Sequence, residues 1–387
     1  MSIKTLSKKM LAIVAAGAMT MGLAMPTSVF AAEGDTATKV TEAYISKTYN
    51  TEVGKAEKFS FTATQNTQGT GLVKTAASVT IPDISFTTAQ TGTTKQRAKV
   101  NFPTYTEAGE YEYTVTESQT ADPAVTNGDH EKLIMSGAEY TMDVYVTENT
   151  EGGFDISNII VKRIKNDEGE NANGVKVTDI GNNDNNGFNF TNTYVQEAGT
   201  GTEPTNPGLD YTQYGSLDVS KIIKTDAADT VDANKEFDFT ATFTFPAGTN
   251  AATLRAKATI GSTATDITGT SYTFKLKHNQ NVKFTGLPVG TKISVTESAT
   301  PNYKGSAEVV INNGTKEAVA ETKYNEALTV SDKTLGQNKN TVDVTNTYNY
   351  VPATGIIMNT LPYVLMIALC GAALIAFVAF KRRRLQK

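Results

Sequence analysis

The 387-residue chain has no tryptophan, two histidines and one cysteine. Each scarcity closes a class of function. Cys370 lies inside an apolar run near the C-terminus, so the long region before that run cannot be stapled by disulfides. His130 and His278 stand alone among polar, turn-like residues, and without cysteine they give no metal-ligand spacing. No metal and no cofactor is therefore expected. No nucleophile motif and no glycine-rich phosphate loop is present, which disfavours a surface enzyme. The stretches Asn166-Asp167-Glu168-Gly169-Glu170 and Asn182-Asn183-Asp184-Asn185 lack the alternation of a calcium-binding loop and read as solvated loops.

Acidic residues are missing from both ends of the chain. At the N-terminus, Lys4, Lys8 and Lys9 precede an apolar stretch over 10–25 that is short for a membrane span. Val29-Phe30-Ala31 then offers small residues at the −3 and −1 positions, so residues 1–31 read as a secretory signal cleaved after Ala31 rather than as a retained anchor. At the C-terminus, Val351-Pro352-Ala353-Thr354-Gly355 is followed by an apolar run over 356–380, long enough to span a bilayer. A basic tail over 381–387, with Lys381-Arg382-Arg383-Arg384, should stay cytoplasmic. An ordinary membrane anchor would need only the span and the tail. The added motif resembles the LPXTG sorting signal of Gram-positive wall proteins, with Val351 in place of leucine. That resemblance implies a sortase that attacks the Thr354–Gly355 bond and passes the Thr354 acyl group to an amine. Proline lacks an N–H and suits an extended, groove-bound substrate better than a helix. Without signal and tail, 27 Lys+Arg face 40 Asp+Glu, a net charge of −13. Nucleic acid and anionic membrane surfaces are thus disfavoured partners.

The region between the ends is rich in alternating stretches, such as Tyr111-Glu-Tyr113-Thr-Val115-Thr, Tyr140-Thr-Met142-Asp-Val144-Tyr-Val146, Phe59-Ser-Phe61-Thr-Ala-Thr64 and Phe237-Asp-Phe239-Thr-Ala-Thr242. Period-two alternation of aromatic and β-branched residues predicts half-buried strands, with turns at Asn127-Gly128, Gly152-Gly153 and Asn313-Gly314. No amphipathic helix is evident, and the fold class is all-β sandwich.

The same plan occurs twice. Ile45-Ser46-Lys47 matches Val219-Ser220-Lys221, and Tyr113-Thr-Val115-Thr-Glu117-Ser118 matches Ile293-Ser-Val295-Thr-Glu297-Ser298. Phe190-Thr-Asn192-Thr-Tyr194 matches Val344-Thr-Asn346-Thr-Tyr348. Residues 40–194 and 216–348 are read as two domains, and 195–215, rich in Gly, Thr and Pro, as an extended linker. Each copy carries a Lys early, a Glu midway and an Asn at its end.

This order, doubled and followed by the sorting motif, resembles the pilin isopeptide-linkage domains of streptococcal-type major pilins. The resemblance implies two tandem Ig-like β-sandwiches with self-formed Lys–Asn isopeptide bonds, Lys47 to Asn192 and Lys221 to Asn346. Glu117 and Glu297 would act as single-turnover acid/base groups. The residue types suit that chemistry. Burial lowers a lysine pKa toward the nucleophilic free amine, and it raises a glutamic acid pKa so that the neutral acid can hydrogen-bond the asparagine carbonyl and carry protons to departing ammonia. The resemblance further implies a shaft pilin, joined by sortase to further copies of itself, to minor pilins and finally to peptidoglycan. Pilins of this kind need an acceptor lysine, here Lys176 or Lys165; no YPKN motif is present. A wall-anchored adhesin or minor pilin, with a host ligand left open, is the alternative.

Overall fold

The computed structural model describes residues 39–225, 231–349 and 353–384. The predicted signal over 1–31 and Val351-Pro352 of the sorting motif lie outside the described residues.

Alternation becomes strand throughout. The first domain contains β1 (Tyr44–Thr51), β2 (Glu57–Phe59), β3 (Phe61–Asn66), β4 (Ile84–Phe86), β5 (Gly92–Lys99) and β6 (Gly109–Glu117). It continues with β7 (Glu131–Ile134), β8 (Glu139–Glu148), β9 (Phe154–Lys165), β10 (Asn171–Lys176) and β11 (Asn189–Gln196). One sheet has the order β5-β1-β11-β7 and the facing sheet β10-β9-β8-β6-β3, while β2 and β4 form a short ribbon. The core between the sheets is aromatic: Tyr49, Tyr111, Tyr113, Tyr140, Phe59, Phe188 and Phe190 are fully buried. Each such ring contributes roughly 1.5–3 kcal/mol of transfer free energy.

The second domain comprises β12 (Leu217–Thr225), β13 (Phe237–Thr244), β14 (Lys257–Ile260), β15 (Thr263–Asp266), β16 (Ser271–Leu276) and β17 (Gln280–Thr285). It ends with β18 (Lys292–Glu297), β19 (Tyr303–Val310), β20 (Glu317–Val319), β21 (Leu328–Thr334) and β22 (Thr341–Tyr348). A seven-stranded sheet, β15-β14-β17-β12-β22-β19-β20, packs on a four-stranded one, β16-β13-β18-β21.

The first and last strands of each domain are parallel neighbours, β1 with β11 and β12 with β22. Antiparallel partners flank both pairs. A chain that enters on one strand and leaves on its parallel neighbour travels through the two domains in series. The predicted turns also form. Gly128 N–H bonds Glu131 O, Gly152 lies at φ 81°, and Asn313 at φ 53° precedes Gly314, whose N–H bonds Ile311 O.

The linker differs from the extended segment expected. Val195 and Gln196 belong to β11, and residues 209–214 form a short helix, α1 (Leu209–Tyr214). Glu197 is buried and explains the order. Its Oε1 accepts from Tyr211 OH at 2.6 Å, Ser216 Oγ at 2.9 Å and Gly286 N–H, and its Oε2 meets His130 Nδ1 at 2.5 Å. One carboxylate thus ties domain 1, the linker helix and domain 2. His130, expected at the surface, is part of this joint and stacks edge-on against Tyr211. His278 is also engaged, accepting the Ile223 N–H at 2.9 Å.

A C-terminal helix, α2 (Ala353–Arg384), contains a span at Tyr363–Lys381 with mean hydropathy 2.6, long and apolar enough to cross a membrane. The helix starts before the apolar run does. Thr354 and Gly355 therefore lie in its first turn instead of the extended conformation expected for them.

Candidate functional site: two buried Lys–Glu–Asn triads

The period-two pattern decides which residues meet. Ile45, Lys47 and Tyr49 point inward from β1, as do Phe190, Asn192 and Tyr194 from β11. Lys47 aligns with Phe190, and Asn192 with Tyr49, so Lys47 and Asn192 are offset by two residues on the same face of adjacent strands. Domain 2 repeats this register: Lys221 aligns with Val344 and Asn346 with Ile223. The glutamates come from the facing sheet. Glu117 extends the inward series Tyr111, Tyr113, Val115, and Glu297 extends Ile293, Val295. Each sits opposite a phenylalanine, Glu117 across from Phe61 and Glu297 across from Phe239.

In domain 1, Lys47 Nζ lies 2.7 Å from Glu117 Oε1, and Asn192 Nδ2 donates to that same oxygen at 3.1 Å. In domain 2, Lys221 Nζ is 2.8 Å from Glu297 Oε1, which also accepts from Asn346 Nδ2 at 2.7 Å. Both lysines are 0% exposed, as is Asn192; the other three residues are buried. Each ammonium stem runs over aromatic faces, with Lys47 Nζ 4.5 Å from the Phe59 centroid and Lys221 Nζ 4.0 Å from that of Phe237.

Burial dominates the electrostatics. It pushes both lysine amines down to about 8, against the pull of their glutamates. It pushes both glutamates up, against the pull of their lysines. The second oxygens, Glu117 Oε2 and Glu297 Oε2, are buried without a hydrogen-bond partner among the described residues, which disfavours their ionised form. An apolar site holding one lysine, one glutamate and one carboxamide favours the neutral amine and the neutral acid, because separated charges there cost several kcal/mol per ion.

In one respect the geometry departs from expectation. The glutamates face the asparagine nitrogen, where the carbonyl had been expected. In domain 1 the carbonyl is met by a backbone group instead: Ser136 N–H donates to Asn192 Oδ1 at 2.7 Å. Met135 Sδ lies 3.4 Å from Asn192 Nδ2. Neither Ser136 nor Met135 stands out in the sequence, because the repeat in domain 2 has no counterpart to them. Asp167, read as part of a solvated loop, turns inward; its Oδ1 accepts from Ser136 Oγ at 2.5 Å and from Thr191 N–H at 2.8 Å.

The two lysines considered as acceptors differ. Lys165 is paired with Glu139 at 2.8 Å. Lys176 ends the edge strand β10, is exposed, and makes no ion pair among the described residues. No group of three or more metal-ligating side chains occurs among the described residues.

Residues 215–348 match a family model described as a domain of unknown function (DUF7601). No curated protein matches the chain. Among solved structures, the chain is similar to the major pilin of Streptococcus pyogenes at 20% identity, covering 80% of this chain and 100% of that one, with a TM-score of 0.32. It is similar to the T3.2 major pilin of a Streptococcus pyogenes serotype at 19% identity, with 80% and 99% covered and a TM-score of 0.31. A pilus-presented adhesin (Cpa) shares 12% identity over 81% of this chain and 100% of that one, at a TM-score of 0.25. Likenesses at these identities and TM-scores carry no functional argument by themselves. The firmer likeness is internal: both halves of this chain build one triad in one register.

Proposed function

We propose that each triad forms a Lys–Asn isopeptide bond once, on folding, and that the chain is a shaft pilin polymerised by sortase into a covalent surface fibre. The observation that carries the first part is the placement of one glutamate oxygen between the lysine nitrogen and the asparagine leaving group, in both domains. The glutamate takes a proton from the lysine, leaving a neutral amine. Nζ attacks Asn Cγ, and the carbonyl electron pair moves to Oδ1. The glutamic acid gives its proton to Nδ2, the Cγ–Nδ2 bond breaks and ammonia leaves as the carbonyl re-forms, and the glutamate takes the second Nζ proton, so that a neutral secondary amide and a glutamic acid remain. Each domain loses one NH₃, and no oxidant or cofactor is consumed.

The bonds suit a chain pulled from its ends. Force arriving on β1 passes through the Lys47–Asn192 amide to β11, and force on β12 passes through Lys221–Asn346 to β22, so neither sandwich needs to unfold under load. Closing a loop of more than about 100 residues adds about 4–5 kcal/mol if the amide acts like any cross-link. This replaces the missing disulfides.

For polymerisation, sortase cleaves Thr354–Gly355 and transfers the Thr354 acyl group to an amine. Lys176 is the favoured acceptor on the next copy, being exposed and unpaired, with Lys165 second. Peptidoglycan takes the acyl group when the fibre is anchored. The test is an SDS-resistant ladder from the native surface. Thr354→Ala should abolish it, and so should Lys176→Ala if that lysine is the acceptor. A single anchored band from the wild-type chain would instead support a wall-anchored adhesin.

A further inference from the structure

The Ser136 N–H is available for a structural reason. β7 pairs with β11 only as far as Ile134, so the backbone beyond it leaves the ladder while still buried beside Asn192. A backbone N–H can only donate. It therefore fixes the carboxamide with Oδ1 toward Ser136 and Nδ2 toward Glu117. When Nζ attacks, negative charge develops on that oxygen, where a preorganised donor stabilises it most.

The hairpin between β9 and β10 grips this segment. Asp167 O accepts the Gly137 N–H at 2.7 Å, Asp167 Oδ1 accepts Ser136 Oγ and Thr191 N–H, and Ser136 Oγ accepts the Ala138 N–H at 3.1 Å. Gly137 lies so close to the hairpin that a Cβ there would meet Gly169 Cα at 2.9 Å. Through Thr191 and Ser136, Asp167 fixes the strand carrying the electrophile and the donor facing it.

We propose that the Ser136 backbone N–H is the oxyanion donor for the Lys47–Asn192 bond, and that Asp167 is the positioning residue that holds it. This rests on the isopeptide reading above. Nζ–Cγ forms as the carbonyl pair moves to Oδ1, and collapse of the intermediate re-forms the carbonyl and expels Nδ2 as ammonia with a proton from Glu117, which recovers one from Nζ. Ser136 gives up no proton. Domain 2 shows no such device among the described residues: β19 runs the full length of β22, its backbone is committed to the ladder, and Asn346 Oδ1 meets no partner there.

The test refolds the ectodomain, recovered unfolded and unreacted, and follows each bond separately by quenched peptide mapping. Asp167→Ala should slow the domain 1 bond by about tenfold or more, toward the 10²–10³ that loss of an oxyanion donor costs, with domain 2 unchanged. Asp167→Asn keeps an acceptor oxygen for Ser136 Oγ and Thr191 N–H, and should restore the rate. An unslowed Asp167→Ala chain overturns the inference; so does equal slowing by Asn, which would assign the effect to charge. A wild-type domain 1 that loses no ammonia overturns the isopeptide reading and this inference with it, whereas a failure confined to the Asp167 series leaves that reading standing. A second readout needs no reaction. In the Lys47→Met/Lys221→Met chain, the Asn192 side-chain carbonyl ¹³C resonance should lie downfield of that of Asn346, and equal shifts contradict the proposal.

Discussion

The two triads share register, residue types and burial, yet they treat the asparagine carbonyl differently. In domain 1, Glu117 meets the carboxamide nitrogen while Ser136 N–H holds the oxygen. In domain 2, Glu297 meets the nitrogen and the oxygen faces Gly305, where a Cβ would stand 3.3 Å from it. The cause is sheet architecture. β7 stops short of Asn192, whereas β19 continues past Asn346. One domain thus engages both ends of the asparagine carboxamide, and the other engages its nitrogen alone. Chemistry common to both copies resides in the repeated residues; what distinguishes them resides in the neighbouring strand.

Removing a glutamate from one domain at a time breaks the comparison most strongly. Glu117→Ala should prevent the first bond and leave the second, and Glu297→Ala the reverse. Each loss should lower the stability of its own domain by about 4–5 kcal/mol, roughly 10–20 °C in Tm for domains of this size. Calorimetry that resolves the two transitions checks this. Equal melting of both domains in either variant would mean that no covalent closure distinguishes them.

A smaller effect comes from pH in chains that cannot react. In Asn192→Ala, Lys47 remains a free amine with a folded pKa near 8, below its ordinary 10.5. Between those values the unfolded chain binds more protons, so domain 1 stability should rise as pH goes from about 8 to 10.5. Glu117, pushed up from 4.5, acts oppositely: the folded state holds the extra proton, and stability falls as pH rises above 4.5. Asn346→Ala should behave alike in domain 2, since burial also pushes Lys221 to about 8. A wild type cross-linked as proposed would have converted its amine to an amide and should lack the rise above pH 8. Denaturation profiles across that range test the point; a variant flat from pH 8 to 10.5 would show its lysine to be hydrated.

Much of this was legible in the sequence. Alternation places Lys47 between Ile45 and Tyr49, Glu117 after Val115, and Asn192 between Phe190 and Tyr194, so a period of two predicts that all three face inward. Repetition in domain 2 singles out the same three residue types. Ser136 was not legible, because it acts through its backbone and any residue carries that N–H. Asp167 was hidden in a run of polar residues whose composition matches a solvated turn. The Glu197 joint was hidden for a similar reason: its partners are spread from His130 to Gly286, and only the folded chain brings them to one carboxylate.

The intact mass of the folded ectodomain tests the central claim most directly. With both bonds formed, it should fall below the sequence mass by two ammonia molecules, about 17 Da each. Lys47→Ala and Lys221→Ala should each remove one of these deficits. A wild-type mass equal to that of the sequence would contradict bond formation in either triad.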